Sequence, residues 1–291
     1  MSKMKKKTNA ISTVFLVVLL LVGVSVMLYP TVSDLWNRHV SARVISDYQE
    51  LVDNTSKEDI ARMLDEAHDY NRRLAMLQAP LSQYDEVSGY EETLDVTGTG
   101  IMGYVNIPAV RVSLPIYHGT SEGVLQIAAG HLQGSTLPVG GANTHGVISA
   151  HRGLPSARLF TDIDKIVVGD IFTVNVLDQV YTYEVEEILI VLPEQVEELA
   201  IIPDSDYMTL LTCTPYGINT HRLLLRSRRI AGAAESIGAK APADAIQVDP
   251  MIVVPIIAAP LVVMLLIFWF TAGRDKRPNY EDINIQLKYK L

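Results

Sequence analysis

The chain has 291 residues, a formal net charge of −9 and a single cysteine. Residues 30–250 carry 15 Lys/Arg against 30 Asp/Glu, so this stretch offers no electrostatic footprint for nucleic acid. One thiol excludes an internal disulfide, and one sulfur is too few for a thiolate zinc site.

Residues 1–9 form a basic tail with Lys3, Lys5, Lys6 and Lys7. Residues 10–29 (AISTVFLVVLLLVGVSVMLY) are uncharged and, at about 1.5 Å per residue, reach roughly 30 Å, the thickness of a bilayer core. A cleaved signal peptide is the competing reading, but the apolar run is longer than a usual h-region and lacks a clear A-x-A site. Residues 30–79 predict membrane-proximal helices. Val40, Val44, Tyr48, Leu51 and Val52 recur at helical spacing, and over residues 57–78 Ile60, Met63, Leu64, Ala67, Tyr70, Leu74 and Leu77 make a second stripe. Ser56 is placed to cap that helix and Pro80 to end it. The stripes are packing faces, and His68, among charged neighbours, reads as solvated. Residues 80–98, opening PLSQYDEVSGYEETLD, form an acidic connector without a clear period.

Between 99 and 231 the texture changes to short β-branched or alternating runs at 103–107, 112–117, 147–151, 171–176, 180–192, 207–213 and 221–230, punctuated by Gly, Pro, Asn and Asp. Seven or eight strands in so short a span predict a mostly β, closed barrel, which hides its sheet edges. Residues 232–250 read as an Ala/Gly-rich linker and 251–272 as a second uncharged span. Its Pro255 and Pro260 are tolerable where neighbours satisfy the freed carbonyls. Residues 273–291 open with Arg274, Lys276 and Arg277. By the positive-inside rule both termini are cytoplasmic and residues 30–250 lie outside.

The cysteine sits in TLLTCTPYGINTHRLLLR, residues 209–226. Such a thiol is either an inert buried group or a nucleophile. In an extended run Thr209, Leu211 and Cys213 face one way, Leu210 and Thr212 the other. If the two runs are antiparallel neighbours, Cys213 and Arg222 flank one loop and face one pocket. Arginine stays charged and has only donors, so it cannot act as a base, but it can hold an oxyanion or a substrate carbonyl. A surface arginine in a basic strand is the plainer reading of Arg222. Acid–base work needs a third group. His39 lies at the membrane edge, and His118, His131 and His145 lie near loop glycines. His221 alternates away from the Arg222 side. His151 ends the run VISAH and opens the turn RGLPSA, a place from which a rigid scaffold can aim an imidazole.

TLLTCTPYGINTHRLLLR closely resembles the cysteine signature of the sortases, TLxTC with an Arg about nine residues on. ISAHRGLPSARLFTDIDK resembles their histidine motif, and IPAVRVSLPIYHGT and GHLQGSTLPVGG are similar to the class C, pilus-assembling branch. The resemblance covers roughly residues 100–230. It implies an eight-stranded sortase-type barrel with short helices, flanked by two transmembrane helices in the cell membrane of a Gram-positive bacterium. It implies catalytic Cys213, His151 and Arg222, with Thr212 as a substrate contact, and no metal or organic cofactor. The implied reaction is cleavage of an LPXTG-type sorting signal through a thioester, then transfer to a Lys amine of a second pilin; attachment to a peptidoglycan cross-bridge amine is the alternative. Class C enzymes usually carry a lid whose Asp-Pro-aromatic tripeptide plugs the site. No such tripeptide occurs here, and Tyr84, Asp85 and Tyr90 are the lid candidates, Asp85 as a partner for Arg222.

Overall fold

A computed structural model describes residues 2–230, with side chains from residue 15 onward. The expected linker, second span and C-terminal tail lie outside the described residues. Helix α1 (Ser2–Asp53) runs through the apolar stretch and continues past Pro30 as far as Asp53. Among the described residues it is the one helix long and apolar enough to cross a membrane, with an apolar window of mean hydropathy 2.5. The unit Val32–Ala243 carries everything described below, and the apolar start of α1 belongs to a separate unit.

Eight strands follow: β1 (Ile101–Ile107), β2 (Val112–His118), β3 (Ala129–His131), β4 (Thr144–Ser149), β5 (Ile171–Val176), β6 (Gln179–Val191), β7 (Asp206–Thr214) and β8 (His221–Arg229). They close in the order β1-β2-β3-β4-β7-β8-β6-β5, with β1 pairing both β2 and β5. The pairs β2–β3 and β4–β7 are parallel and the others antiparallel. The barrel expected from the sequence is present. The run expected at 147–151 begins earlier and stops at Ser149, so His151 lies just past a strand. β3, three residues long, is an eighth strand that the sequence pattern does not mark.

Alternation explains which residues fill the barrel. Met208 and Leu210 of β7, Leu223 and Leu225 of β8, and Val174 of β5 enter the principal core. Their neighbours point outward, and Val147, Leu211 and Leu224 form a second cluster with Leu199, Leu81, Leu132, Leu189 and Val191. The β4–β7–β8 wall is therefore covered on both faces, which is why Val147–Ile148, Leu210–Leu211 and Leu223–Leu225 are consecutive apolar residues within these strands. The outer cover is the β6–β7 connection. Its Glu198 pairs with Arg226 Nη1 at 3.1 Å. Nδ1 of buried His145 donates to Ala200 O (2.8 Å), while the Thr209 hydroxyl donates to its Nε2 (2.8 Å).

The helices complete the principal core. Tyr48 of α1 is fully buried, its hydroxyl donating to Met102 O (3.2 Å) and accepting from Leu177 N (2.7 Å). Helix α2 (Lys57–Ala75) starts at Ser56, whose hydroxyl accepts from Asp59 N at 3.1 Å. It buries Ile60, Ala67, Tyr70 and Leu74, whereas Leu51 of the first expected stripe is exposed. Asn71 clasps Leu137 in both directions: Nδ2 donates to Leu137 O (3.0 Å) and Oδ1 accepts from Leu137 N (2.7 Å). The helix ends at Ala75, and Pro80 instead opens a short helix, α3 (Pro80–Gln83).

Candidate active site

Strands β7 and β8 meet in a register that sets Cys213 directly opposite Arg222, with Thr214 opposite His221. Side chains so paired start about 4.5–5.5 Å apart at Cβ. The six residues that join the strands include a cis Thr214–Pro215 peptide and Gly217 at φ +73. On the other side of β7, the parallel register with β4 ends at Ser149↔Leu211, and Ala150 N still donates to Leu211 O at 3.2 Å. His151 is the next residue after Ala150, and Cys213 stands two residues beyond Leu211. Strand β7 thus carries the thiol and its antiparallel neighbour β8 the guanidinium, while the imidazole stands in the segment that leaves the parallel neighbour β4.

All three side chains are partly exposed, as groups meeting a substrate must be. Nε2 of His151 lies 3.6 Å from Oε2 of Glu122, on the short helix α4 (Glu122–Leu125). Nη1 of Arg222 donates to the carbonyls of Asn219 (3.3 Å) and His221 (3.2 Å), which folds its fork over the β7–β8 loop. The outer apolar cluster continues this face away from Cys213. The arrangement sets a thiol and a guanidinium opposite each other at one end of an apolar floor, with an imidazole in the segment that follows β4.

Comparison with known proteins places the chain among characterised relatives. A sortase domain model matches residues 105–230. A Streptococcus agalactiae sortase A is 32% identical over 144 residues, 47% of this chain and 58% of that protein's length. Thus the chain spans little more than half of the curated relative it matches. Solved structures extend the likeness. Sortase C1 from Streptococcus agalactiae is 45% identical with a TM-score of 0.60, covering 65% of this chain and 98% of that one. Sortase C from Streptococcus pneumoniae, described in terms of catalysis and pilin substrate specificity, is 44% identical with a TM-score of 0.57, over 65% and 96%. Sortase C from Clostridium perfringens SM101 is 39% identical with a TM-score of 0.55, over 65% and 98%.

The chain belongs to the sortase family of cysteine transpeptidases. In this sortase several residues expected near the site stand elsewhere. Thr212 is buried, and its hydroxyl donates to Ala150 O at 2.8 Å. It is a strut between the Cys213 strand and the His151 segment, turned away from the groove, which corrects its reading as a substrate contact. Tyr90 is also buried: its hydroxyl lies 3.0 Å from Nδ1 of His131 and accepts from Gly119 N at 2.9 Å. That hydroxyl is committed to the core, which removes Tyr90 from the lid candidates. Tyr84 packs against the principal core, and Asp85 is exposed, with no ion pair to Arg222 among the described residues. From the same connector it is Leu81 that joins the outer apolar cluster beside the site. A single leucine among polar residues gave no signal of this in the sequence.

Three of the other histidines, His118, His131 and His145, are structural. Nε2 of His131 lies 2.9 Å from Thr136 O, and burial pushes this imidazole from 6.5 down to about 4. Burial also lowers His145, and His118 is enclosed between Gly100 O and Thr93 O. His39 is exposed and His221 meets the Thr220 hydroxyl, while His68 is half-buried rather than solvated.

Proposed function

We propose that this sortase is a membrane-anchored, two-pass pilin transpeptidase whose catalytic residues are Cys213, His151 and Arg222. Cys213 passes its thiol proton to His151 and attacks the Thr carbonyl carbon of an LPXTG-type sorting signal. Arg222 stabilises the oxyanion that develops there, and His151 protonates the leaving Gly amine. The Thr acyl group is then a thioester on Cys213, and a Lys amine of the next pilin attacks it while His151 takes the amine's proton. Thiol and imidazole are restored, and the subunits are joined by an isopeptide bond.

The observation that carries this reading is the Cys213↔Arg222 cross-strand pair, with His151 two residues past the end of the neighbouring parallel strand. Sortase C structures among the neighbours favour pilin as the substrate, and the Streptococcus pneumoniae structure is described for pilin specificity. Incubation of the full-length protein in detergent with an LPXTG-bearing pilin tests it. Covalent ladders whose junctions are Thr–Lys isopeptides support polymerisation. Cleavage without ladders, or transfer only to a cross-bridge peptide, assigns the enzyme to wall anchoring instead.

A further inference from the structure

We propose that Arg152 is a positioning residue that holds the His151 loop in register with the exit of the Cys213 strand; the inference rests on the roles just assigned to those two residues. Arg152 follows His151, and its side chain is only 9% exposed. Nη2 pairs with Oδ2 of Asp164 at 2.5 Å, within the loop that leaves His151. Nη1 reaches Oγ1 of Thr214 at 3.5 Å, on the residue after Cys213. The guanidinium lies 5.7 Å from the centre of the Tyr216 ring, in the β7–β8 loop. One planar cation therefore touches both segments whose spacing decides whether imidazole and thiol meet.

Two further observations point the same way. Gly153 has φ +81, and a Cβ there would stand 3.2–3.3 Å from the Tyr216 ring. A side chain at 153 would strain the backbone and push the ring off its seat, so the loop is shaped to receive Tyr216. The Nε–H of Arg152 is buried without a partner. Such a donor costs free energy that the contacts at the ends of the fork must offset. Thr214 alternates with Cys213 along β7, so Arg152 braces the pair from the face opposite the thiol.

Tyr216 is the cleanest probe, because it is 58% exposed and its packing adds little to the barrel. The Tyr216→Phe variant keeps a ring face under the guanidinium and Tyr216→Leu removes it, a loss of about tenfold for a half-buried cation–π contact. Two readouts on the full-length protein in detergent separate the inference from the reading beneath it. In a His151→Cys background, the rate of disulfide formation with Cys213 under diamide reports the spacing of the two positions without catalysis. In the His151 background, kcat and KM for an LPXTG peptide with hydroxylamine as acceptor report the chemistry. Tyr216→Phe should match the parent in both. Tyr216→Leu and Arg152→Met should slow cross-linking and lower kcat by about tenfold or more, with KM within about twofold and melting temperature nearly unchanged for Tyr216→Leu. Equal cross-linking rates in all variants, equal losses in Tyr216→Phe and Tyr216→Leu, or no cross-link in the parent would each overturn the inference. If no protein turns over the peptide while the cross-linking rates still separate, the proposed function fails and the clamp stands.

Discussion

Arg222 faces Cys213 as a fixed cation with a planar set of donors, and charge alone does not describe its role. A lysine would keep the charge but not the fork, so Arg222→Lys is expected to lose about 10²–10³ in turnover of an LPXTG peptide. Cys213→Ala should abolish turnover and His151→Ala come close to doing so. Away from the site, His131 makes a pH prediction. Its folded value, about 4, lies below the 6.5 of the open chain, so the unfolded state binds more protons between those limits. Stability is therefore complete above about pH 6.5 and is lost as pH falls towards 4, by up to roughly 3 kcal/mol for this one group. Denaturant unfolding at pH 7 and 5 should show this drop, and His131→Gln should flatten it.

At the scale of elements, two contacts join the flanking segments to the surroundings of the proposed site. Leu81 sits on the outer cluster of Val147, Leu199, Leu211 and Leu224. The rest of the connector is anchored, with Val87, Tyr90 and Leu94 buried. Deleting the connector would open the core as well as the groove, so a point change is the better test. Leu81→Asp should speed alkylation of Cys213 severalfold with a normal melting transition, because a cover limits access without supplying the main core. The second contact is made by α1. Asn37 Nδ2 donates to Ser156 O (2.7 Å), and Oδ1 of Asp34 accepts from Arg158 N (2.9 Å). Both ends of these bonds belong to the unit that holds the barrel, and the loop they grip follows His151 directly. Hydrogen exchange at 154–160 should rise in an Asp34→Ala, Asn37→Ala variant and stay unchanged in β5 and β6.

Across the whole molecule, the parts legible in the sequence are those with a local signal. The strands alternate or are β-branched, and Ser56 caps α2 within one turn. Cys213 and Arg222 are separated by a loop short enough to make them neighbours. The run VISAH marks the end of β4, two residues before His151. What was hidden depends on pairing across long stretches of chain. Thr212 is a strut because Ala150 lies across a parallel register, 62 residues away in sequence. Tyr90 is core because His131, 41 residues on, folds against it. β3 contains only Ala129, Gly130 and His131, too short to show a period. The membrane arrangement is read from charge alone and has its own check. In a Cys213→Ala background, a cysteine engineered into the N-terminal tail should resist an impermeant thiol reagent on intact cells, while one at exposed Asp178 should react. The account as a whole rests on the thiol of Cys213 as the atom that receives the substrate. Intact-mass and peptide-mapping spectrometry of the full-length protein, quenched in acid after mixing with an LPXTG peptide, addresses this directly. The expected result is an LPXT acyl adduct on the peptide containing Cys213, released by hydroxylamine and absent from Cys213→Ala. Cleavage of the peptide with no such adduct, or an adduct on another residue, would contradict the account.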